Sequence, residues 1–301
     1  MSDLPNIGFV GLGIMGRPMA LNLLNAGYSL NINDKSRSRI DVLAASGAVV
    51  CDSPMQVASS SDVVFIMVRD SEDANQVVLG QSGIIHEIRP GSTVIVTSTI
   101  SPDSVRNIAD RLAQVNVDTL DAPVSGGEEG AKKATLSIMV GGKPEVFAAC
   151  LPILESIGRN IVHLGPVGAG TIGKLSNQVI ASVNMLAMCE GLTFAAKAGA
   201  DLPRLLSVLQ AGTAQSWALD NQAIKVLERD FAPGFMVSLQ QKDLRIALAA
   251  AEELHVALPG CSLVHELYKS VESEPGGGGL ANHAFVRALE KLSDVVVSAD
   301  A

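Results

Sequence analysis

Short β-branched runs alternate with amphipathic stretches through the first half of this chain. Ile7–Val10, Leu30–Ile32, Val63–Val68, Thr93–Val96 and Leu136–Val140 are brief, apolar and bounded by turn residues, which predicts buried strands. Arg17–Ala26, Ser36–Ser46 and Ser101–Ala113 carry apolar positions three and four apart, which predicts helices between them. Strand–helix alternation of this kind implies a mostly parallel, doubly wound sheet in an α/β fold. The pattern stops after Ile161-Val162-His163-Leu164.

Beyond that point the pattern is helical. Ala169 to Ala198 reads as one long helix, apolar on several sides, with Gly199 near its end. A helix apolar all round is expected to be buried, here between domains or between subunits, so a homodimer or homotetramer is expected. Further helices are predicted at Leu202–Ala211, Trp217–Leu227, Val237–Leu254 and Ser262–Ser270. Pro275-Gly276-Gly277-Gly278-Gly279 reads as a flexible break before a last helix, His283–Leu292. A chain of 301 residues suits two domains, expected as 1–165 (sheet) and 166–301 (all-helical).

Composition changes this picture mainly by exclusion. The formal net charge of -9 argues against nucleic acid or an anionic membrane as a partner, and leaves room for a small carboxylate met by a local cluster of donors. Four scattered cysteines (Cys51, Cys150, Cys189, Cys261) and five scattered histidines show no ligand-like spacing, so no metal is expected. The cysteine usage fits a reducing compartment, and Met1-Ser2-Asp3-Leu4-Pro5 lacks the basic and apolar regions of a signal peptide. The first apolar stretch is too short for a membrane span and is broken by glycines. A cytoplasmic protein is expected.

The chemistry begins at Gly11-Leu12-Gly13-Ile14-Met15-Gly16, which follows a predicted strand and opens a predicted helix. That context makes it a dinucleotide-binding turn of a Rossmann domain. The first glycine permits the turn, the second lets backbone approach the pyrophosphate, and the third allows close helix–strand packing. The acidic residue expected at the end of the second strand, roughly 20 residues on, is Asp34, placed to bind the ribose 2′-OH. Lys35 beside it is a cation that suits the 2′-phosphate of NADP, but Asp34 would repel that phosphate. NAD is the expected cofactor, with NADP left open.

Taken together, four segments in register resemble the 3-hydroxyacid (β-hydroxyacid) dehydrogenase family over nearly the whole chain. Ile7 through Ala20 is similar to its cofactor fingerprint, and Asp121-Ala122-Pro123-Val124-Ser125-Gly126-Gly127 to its substrate motif. Gly170-Thr171-Ile172-Gly173-Lys174-Leu175-Ser176-Asn177-Gln178 is similar to its catalytic helix, and Phe235 through Leu244 to its late cofactor-side motif. The resemblance implies hydride transfer between NAD(P)H and a short 3-oxo or 3-hydroxy carboxylic acid, acting on a CH–OH group. Ser125, Gly126 and Gly127 would hold the substrate carboxylate, and Lys174 would be the proton donor and acceptor. Gln178, one turn on, stands where the family often has Asn and would hold the substrate hydroxyl; Asn177 is a further substrate-side or structural hydrogen-bonder. Thr99, Val68 and Lys242 match cofactor positions, with Val68-Arg69 replacing the more usual Leu-Pro.

Within the family, Leu136 through Gly142 and Asp230 through Phe235 look like the tartronate semialdehyde (2-hydroxy-3-oxopropionate) reductases. Ser98-Thr99-Ile100 and Ser216-Trp217 lean toward the threonate and hydroxyisobutyrate enzymes, so these remain alternatives. Trp217 is expected either to shape the substrate pocket or to anchor the core. A dinucleotide-sensing scaffold without activity predicts loss of the lysine or of the Ser-Gly-Gly loop, and both are present. The related 6-phosphogluconate dehydrogenases have a much longer chain.

Overall fold

In the computed structural model, strands β1 (Ile7–Val10), β2 (Leu30–Asn33), β3 (Val49–Val50), β4 (Val63–Ile66), β5 (Thr93–Val96), β6 (Asp118–Asp121), β7 (Val124–Ser125), β8 (Leu136–Gly141) and β9 (Gly158–Gly165) form one sheet. The described residues are 4–299; Met1, Ser2 and Asp3, the start of the segment that lacks a signal peptide's pattern, lie outside them. The order β3-β2-β1-β4-β5-β6-β8-β7, with β9 on the free edge of β8, carries the doubly wound 3-2-1-4-5-6 arrangement plus an extension. β1 to β6 pair in parallel, whereas β8 runs antiparallel to β6 and β7 and parallel to β9.

Side-chain alternation explains why these short runs are strands. Ile7, Phe9, Val63, Phe65 and Ile95 enter one apolar cluster, while Val10, Val64, Ile66, Val94 and Val96 enter another. A parallel sheet is covered on both faces, so both sets are apolar and the runs look continuous in the sequence. Phe9 and Phe65 stack across neighbouring strands with ring centroids 5.7 Å apart. The strands that the sequence pattern does not predict are β3, β6, β7 and β9. The first and third have two residues each, β6 reads Asp-Thr-Leu-Asp, and β9 is half exposed, so none shows the buried-strand signature.

Helices α1 (Gly16–Asn25), α2 (Arg37–Ala44), α3 (Pro54–Ser59), α4 (Ser71–Leu79), α5 (Pro102–Ala113), α6 (Gly127–Lys132) and α7 (Pro144–Leu154) alternate with the strands. Ser53, Asp70 and Ser101 cap α3, α4 and α5 by accepting the N–H of Gln56, Asp73 and Ser104. The chain divides into two compact units between Lys174 and Leu175, later than residue 165. The reason is that the first two turns of the next helix pack on the sheet: a Cβ added at Gly170 would meet the carbonyls of Met139 and Asp121, and one at Gly173 would meet Leu164 and Met139.

That helix, α8 (Ala169–Lys197), has 29 residues and runs on into the helical unit. It is followed by α9 (Leu202–Ala211), α10 (Trp217–Asn221), α11 (Ala223–Leu227), α12 (Val237–Glu253), α13 (Pro259–Glu272) and α14 (Val286–Ser293). Length and apolarity alone would let α8 cross a membrane, but its Met185, Met188, Cys189 and Leu192 lie in the core of the helical unit. There they meet residues such as Leu244, Val264, Tyr268 and Phe285; the last two rings are tilted with centroids 4.6 Å apart.

Two expectations are corrected here. Trp217–Leu227 is two short helices, interrupted at Gln222, whose side chain donates to Asn282 Oδ1 at 2.9 Å. The glycine run is a defined 3-10 turn, Gly277–Gly279, with Gly277 buried against the Val271 carbonyl where a Cβ would not fit.

Candidate active site

Five of the six parallel strands end in one row. Asn33, Val10, Ile66, Val96 and Asp121, the last residues of β2, β1, β4, β5 and β6, are register partners in that order. The residues that follow them are Asp34, Gly11, Val68, Thr99 and Ser125, each within a few positions of the strand end. Five candidates far apart in sequence thus share the carboxyl edge of the sheet, where open α/β sheets bind their ligands.

At the cofactor loop the glycines play different parts. A Cβ on Gly16 would strike the Gly11 carbonyl, which fixes close packing of α1 on β1, whereas a Cβ on Gly13 would meet nothing within 4 Å among the described residues. Gly13 is therefore the point of open backbone, as a pyrophosphate requires. Leu12 donates its N–H to Asp34 Oδ2 at 2.6 Å and buries its side chain in the core; Ile14 is 45 % exposed and Met15 packs against the core. Asp34 also accepts the Ser36 N–H at 2.7 Å, and Arg39 lies 3.6 Å from the same carboxylate, a neighbour that sequence reading does not single out. Lys35 is turned onto Asp73 at 2.7 Å, and that bond holds its pKa above the ordinary lysine value. Val68 donates its N–H to Ser98 Oγ at 2.7 Å, so β4 and β5 are tied together just before the half-buried Thr99.

On the substrate side, Ser125 ends β7, opposite Ser137 of β8. Gly126 and Gly127 follow with φ of 133° and 62°, backbone that side-chain-bearing residues avoid. A Cβ on Gly127 would meet nothing within 4 Å among the described residues, so its backbone is open too. The acidic Glu128 and Glu129 just beyond are paired with Lys132 and Lys133.

Lys174 is 7 % exposed on α8. One turn on, Gln178 is 5 % exposed and donates from Nε2 to Asp243 Oδ2 at 2.7 Å, while its Oε1 accepts from Asn177 Nδ2 at 3.1 Å. Asp243 Oδ1 pairs with Lys242 Nζ at 2.9 Å. Asn177, Gln178, Lys242 and Asp243 thus form one polar network inside the helical unit. Asp243, 2 % exposed, is its hub, although the sequence marks only its neighbour Lys242 as a site residue. A carboxylate only accepts hydrogen bonds, so the Gln178 amide must turn its nitrogen toward Asp243. In the sequence Asp121 is likewise only the first residue of a motif. Its buried carboxylate accepts the N–H of Gly168 at 2.8 Å and of Thr171 at 2.7 Å. Burial raises its pKa, against the lowering effect of those two N–H groups. Trp217 is 67 % exposed at the start of α10 and is not a core anchor.

Residues 6–165 match the NAD binding domain of 6-phosphogluconate dehydrogenase, and residues 168–289 match the NAD-binding region of NADP-dependent 3-hydroxyisobutyrate dehydrogenase. The 2-hydroxy-3-oxopropionate reductase of Escherichia coli is 41 % identical over 288 residues, 96 % of this chain and 98 % of that one. The chain belongs to the 3-hydroxyacid dehydrogenase family. The NAD-dependent L-serine dehydrogenase of Pseudomonas aeruginosa is 38 % identical, covering 96 % of this chain and 97 % of its own. A solved structure of Mycobacterium tuberculosis 3-hydroxyisobutyrate dehydrogenase with L-serine superposes with a TM-score of 0.87 at 30 % identity, over 95 % of this chain and 99 % of that one. As a member of this family the protein is an NAD(P)-dependent dehydrogenase acting on the hydroxyl group of hydroxyacids. The open backbone at Gly13 and the Asp34 carboxylate at the sheet edge fit that cofactor.

Proposed function

We propose that this dehydrogenase reduces 2-hydroxy-3-oxopropionate, and in reverse oxidises the matching 2,3-dihydroxy acid, using NAD(H). The observation that carries the substrate is the 41 % identity to the Escherichia coli reductase along almost all of both chains. The nicotinamide supplies or receives the hydride. Lys174 gives its proton to the aldehyde oxygen as negative charge gathers there, and in reverse its neutral amine takes the proton from the hydroxyl. The Ser125 hydroxyl and the N–H groups of Gly126 and Gly127 hold the carboxylate, since glycine lets backbone donors converge on an anion. Gln178, its nitrogen already turned to Asp243, keeps a second N–H for the substrate hydroxyl.

Asp34, with a side chain 6 % exposed and held by two backbone N–H groups, supports NAD over NADP, and Lys35 is engaged by Asp73. A higher kcat/KM with NADPH than with NADH would overturn that choice. A second substrate, L-serine, is favoured by the names of the Pseudomonas relative and the Mycobacterium structure; it carries an amino group where the 2-hydroxyl would be. The deciding measurement is kcat/KM for tartronate, methylmalonate and succinic semialdehydes in reduction, and for glycerate (the matching 2,3-dihydroxy acid), L-serine, L-threonate and 3-hydroxyisobutyrate in oxidation. Tartronate semialdehyde should lead its panel by about tenfold, equivalent to about 1.4 kcal/mol of transition-state binding. A lead of that size for the methyl-bearing or longer aldehyde, or fast L-serine oxidation without glycerate oxidation, rejects the assignment. Lys174→Ala should lower kcat by about 100- to 10,000-fold with cofactor affinity nearly unchanged.

The same reading makes the protein a cytoplasmic homodimer or homotetramer that engages neither nucleic acid nor membrane. Its support is the net charge of -9, four buried free cysteines, and apolar side chains on α8, Ile180 and Phe194, that are 62 % and 78 % exposed on a single chain. A monomeric mass by light scattering at micromolar concentration rejects the oligomer.

A further inference from the structure

The first turn of a helix has backbone N–H groups with no acceptor inside the helix. In α8 that turn is also buried: Gly168 precedes it, Thr171 is 1 % exposed, and Lys174 follows one turn later. Gly168 has no side chain to cap it. The acceptor comes instead from another element, because Asp121, fully buried at the end of β6, receives the N–H of Gly168 at 2.8 Å and of Thr171 at 2.7 Å. The fit around this carboxylate is close. A Cβ on Gly141 would strike Asp121 Oδ1, and one on Gly170 would strike the carbonyls of Asp121 and Met139. A negative charge at this end of a helix is also favoured by the aligned peptide dipoles.

Asp121 begins the segment that leads, four to six residues on, to Ser125, Gly126 and Gly127. One carboxylate therefore joins the strand feeding the carboxylate-holding loop to the turn that sets the direction of Lys174. We propose that Asp121 is a positioning residue for the reaction: its two backbone hydrogen bonds hold the start of α8 in register with the β6 end, and so fix Lys174 relative to the substrate loop. The proposal rests on the roles given above to Lys174 and Ser125. Its physical basis is that a displacement of about 1 Å in a reacting group costs on the order of 100-fold in rate, whereas the turn Gly11–Gly16 follows β1, three strands from β6 in the sheet, and is held by its own packing of Gly16 on Gly11.

Two measurements test it. In the wild-type enzyme, hydrogen exchange followed by NMR should find the Thr171 amide at least about 100-fold slower than an unprotected amide, although its position gives it no intrahelical acceptor. Exchange at the open rate means that the anchor does not exist. In Asp121→Asn, one oxygen becomes an NH2 group facing an N–H. Here kcat should fall about 10- to 100-fold, with the KM for reduced cofactor within about twofold of wild type. An unchanged kcat, or parallel losses in kcat, cofactor KM and thermal stability, overturns the positioning role in favour of none or of a purely structural one. If Asp121→Asn does not fold, exchange at the open rate still overturns the proposal, and Asp121→Glu, which keeps the charge but lengthens the side chain, is read by the same split between kcat and cofactor KM. If the wild-type enzyme turns over none of the substrates in the panel, the proposed function fails while the exchange result stands on its own.

Discussion

The sheet unit and the helical unit hold their candidate site residues by different means. In the sheet unit the strand ends do the placing: a parallel register brings Gly11, Asp34, Val68 and Thr99 to one edge, and backbone N–H groups from Leu12 and Ser36 then fix Asp34. In the helical unit side chains hold one another, through Asn177 to Gln178 to Asp243 to Lys242. A backbone-built site is sensitive to added volume and indifferent to most side-chain chemistry. A network of side chains around one buried carboxylate is sensitive to the loss of a charge. The two halves should accordingly fail under different substitutions.

The largest effect is expected at the hub of the network. Asp243→Asn removes the anion that Lys242 pairs with and turns an NH2 group toward another donor. Breaking a fully buried pair costs about 3–5 kcal/mol; with Lys242 still 16 % exposed, about 2–3 kcal/mol of stability should be lost in urea unfolding. A loss below about 0.5 kcal/mol, the range of ordinary surface substitutions, would mean that the network is not what holds these groups.

The sheet unit should answer to volume instead. Gly16→Ala drives a Cβ into the Gly11 carbonyl and should cost about 1–3 kcal/mol, as overpacking does. Gly13→Ala enters open space, so stability should stay within about 1 kcal/mol, the usual range for such changes, while NADH affinity measured by fluorescence titration falls. Equal stability losses in the two variants, or unchanged NADH affinity in Gly13→Ala, would remove the distinction between packing glycine and cofactor glycine.

The smallest effect separates the halves by pH. His283, 3 % exposed in the helical unit, donates from Nε2 to the Asp230 carbonyl at 2.7 Å, and burial lowers its pKa below the ordinary histidine value. Burial also lowers that of His265, with Lys269 adding to the effect. A depressed histidine favours the neutral folded state. Its contribution to stability is present above the unfolded pKa of about 6.5 and is lost as pH falls through the folded value. The melting temperature should therefore decline on acidification below that pH. His283→Gln, which keeps an N–H for the same carbonyl, should show a shallower decline. Identical slopes in the two proteins would place the acid sensitivity elsewhere.

Much of the fold and of the cofactor edge is legible in the sequence. The alternation of short β-branched runs with amphipathic stretches determined the doubly wound sheet, because a strand buried on both faces must be apolar at every position. The glycine spacing after β1, with Asp34 at the end of β2, determined the cofactor edge, since those constraints act over a few neighbouring residues. The sequence also marked α8 and Lys174 within it. It could not decide what surrounds them. Asp121 meets Gly168 and Thr171 across 47 and 50 residues, and Gln178 meets Asp243 across 65. Nothing local distinguishes those two aspartates from a turn or surface residue. Trp217 and Gln222 show the same limit, since a periodic pattern shows which positions are apolar but not where a helix is interrupted by a distant partner such as Asn282. Local pattern determines elements because backbone hydrogen bonding and side-chain alternation are short-range. The partner of a buried polar group is chosen only when the chain has folded, because desolvation makes a carboxylate seek whatever donors the packing brings within reach.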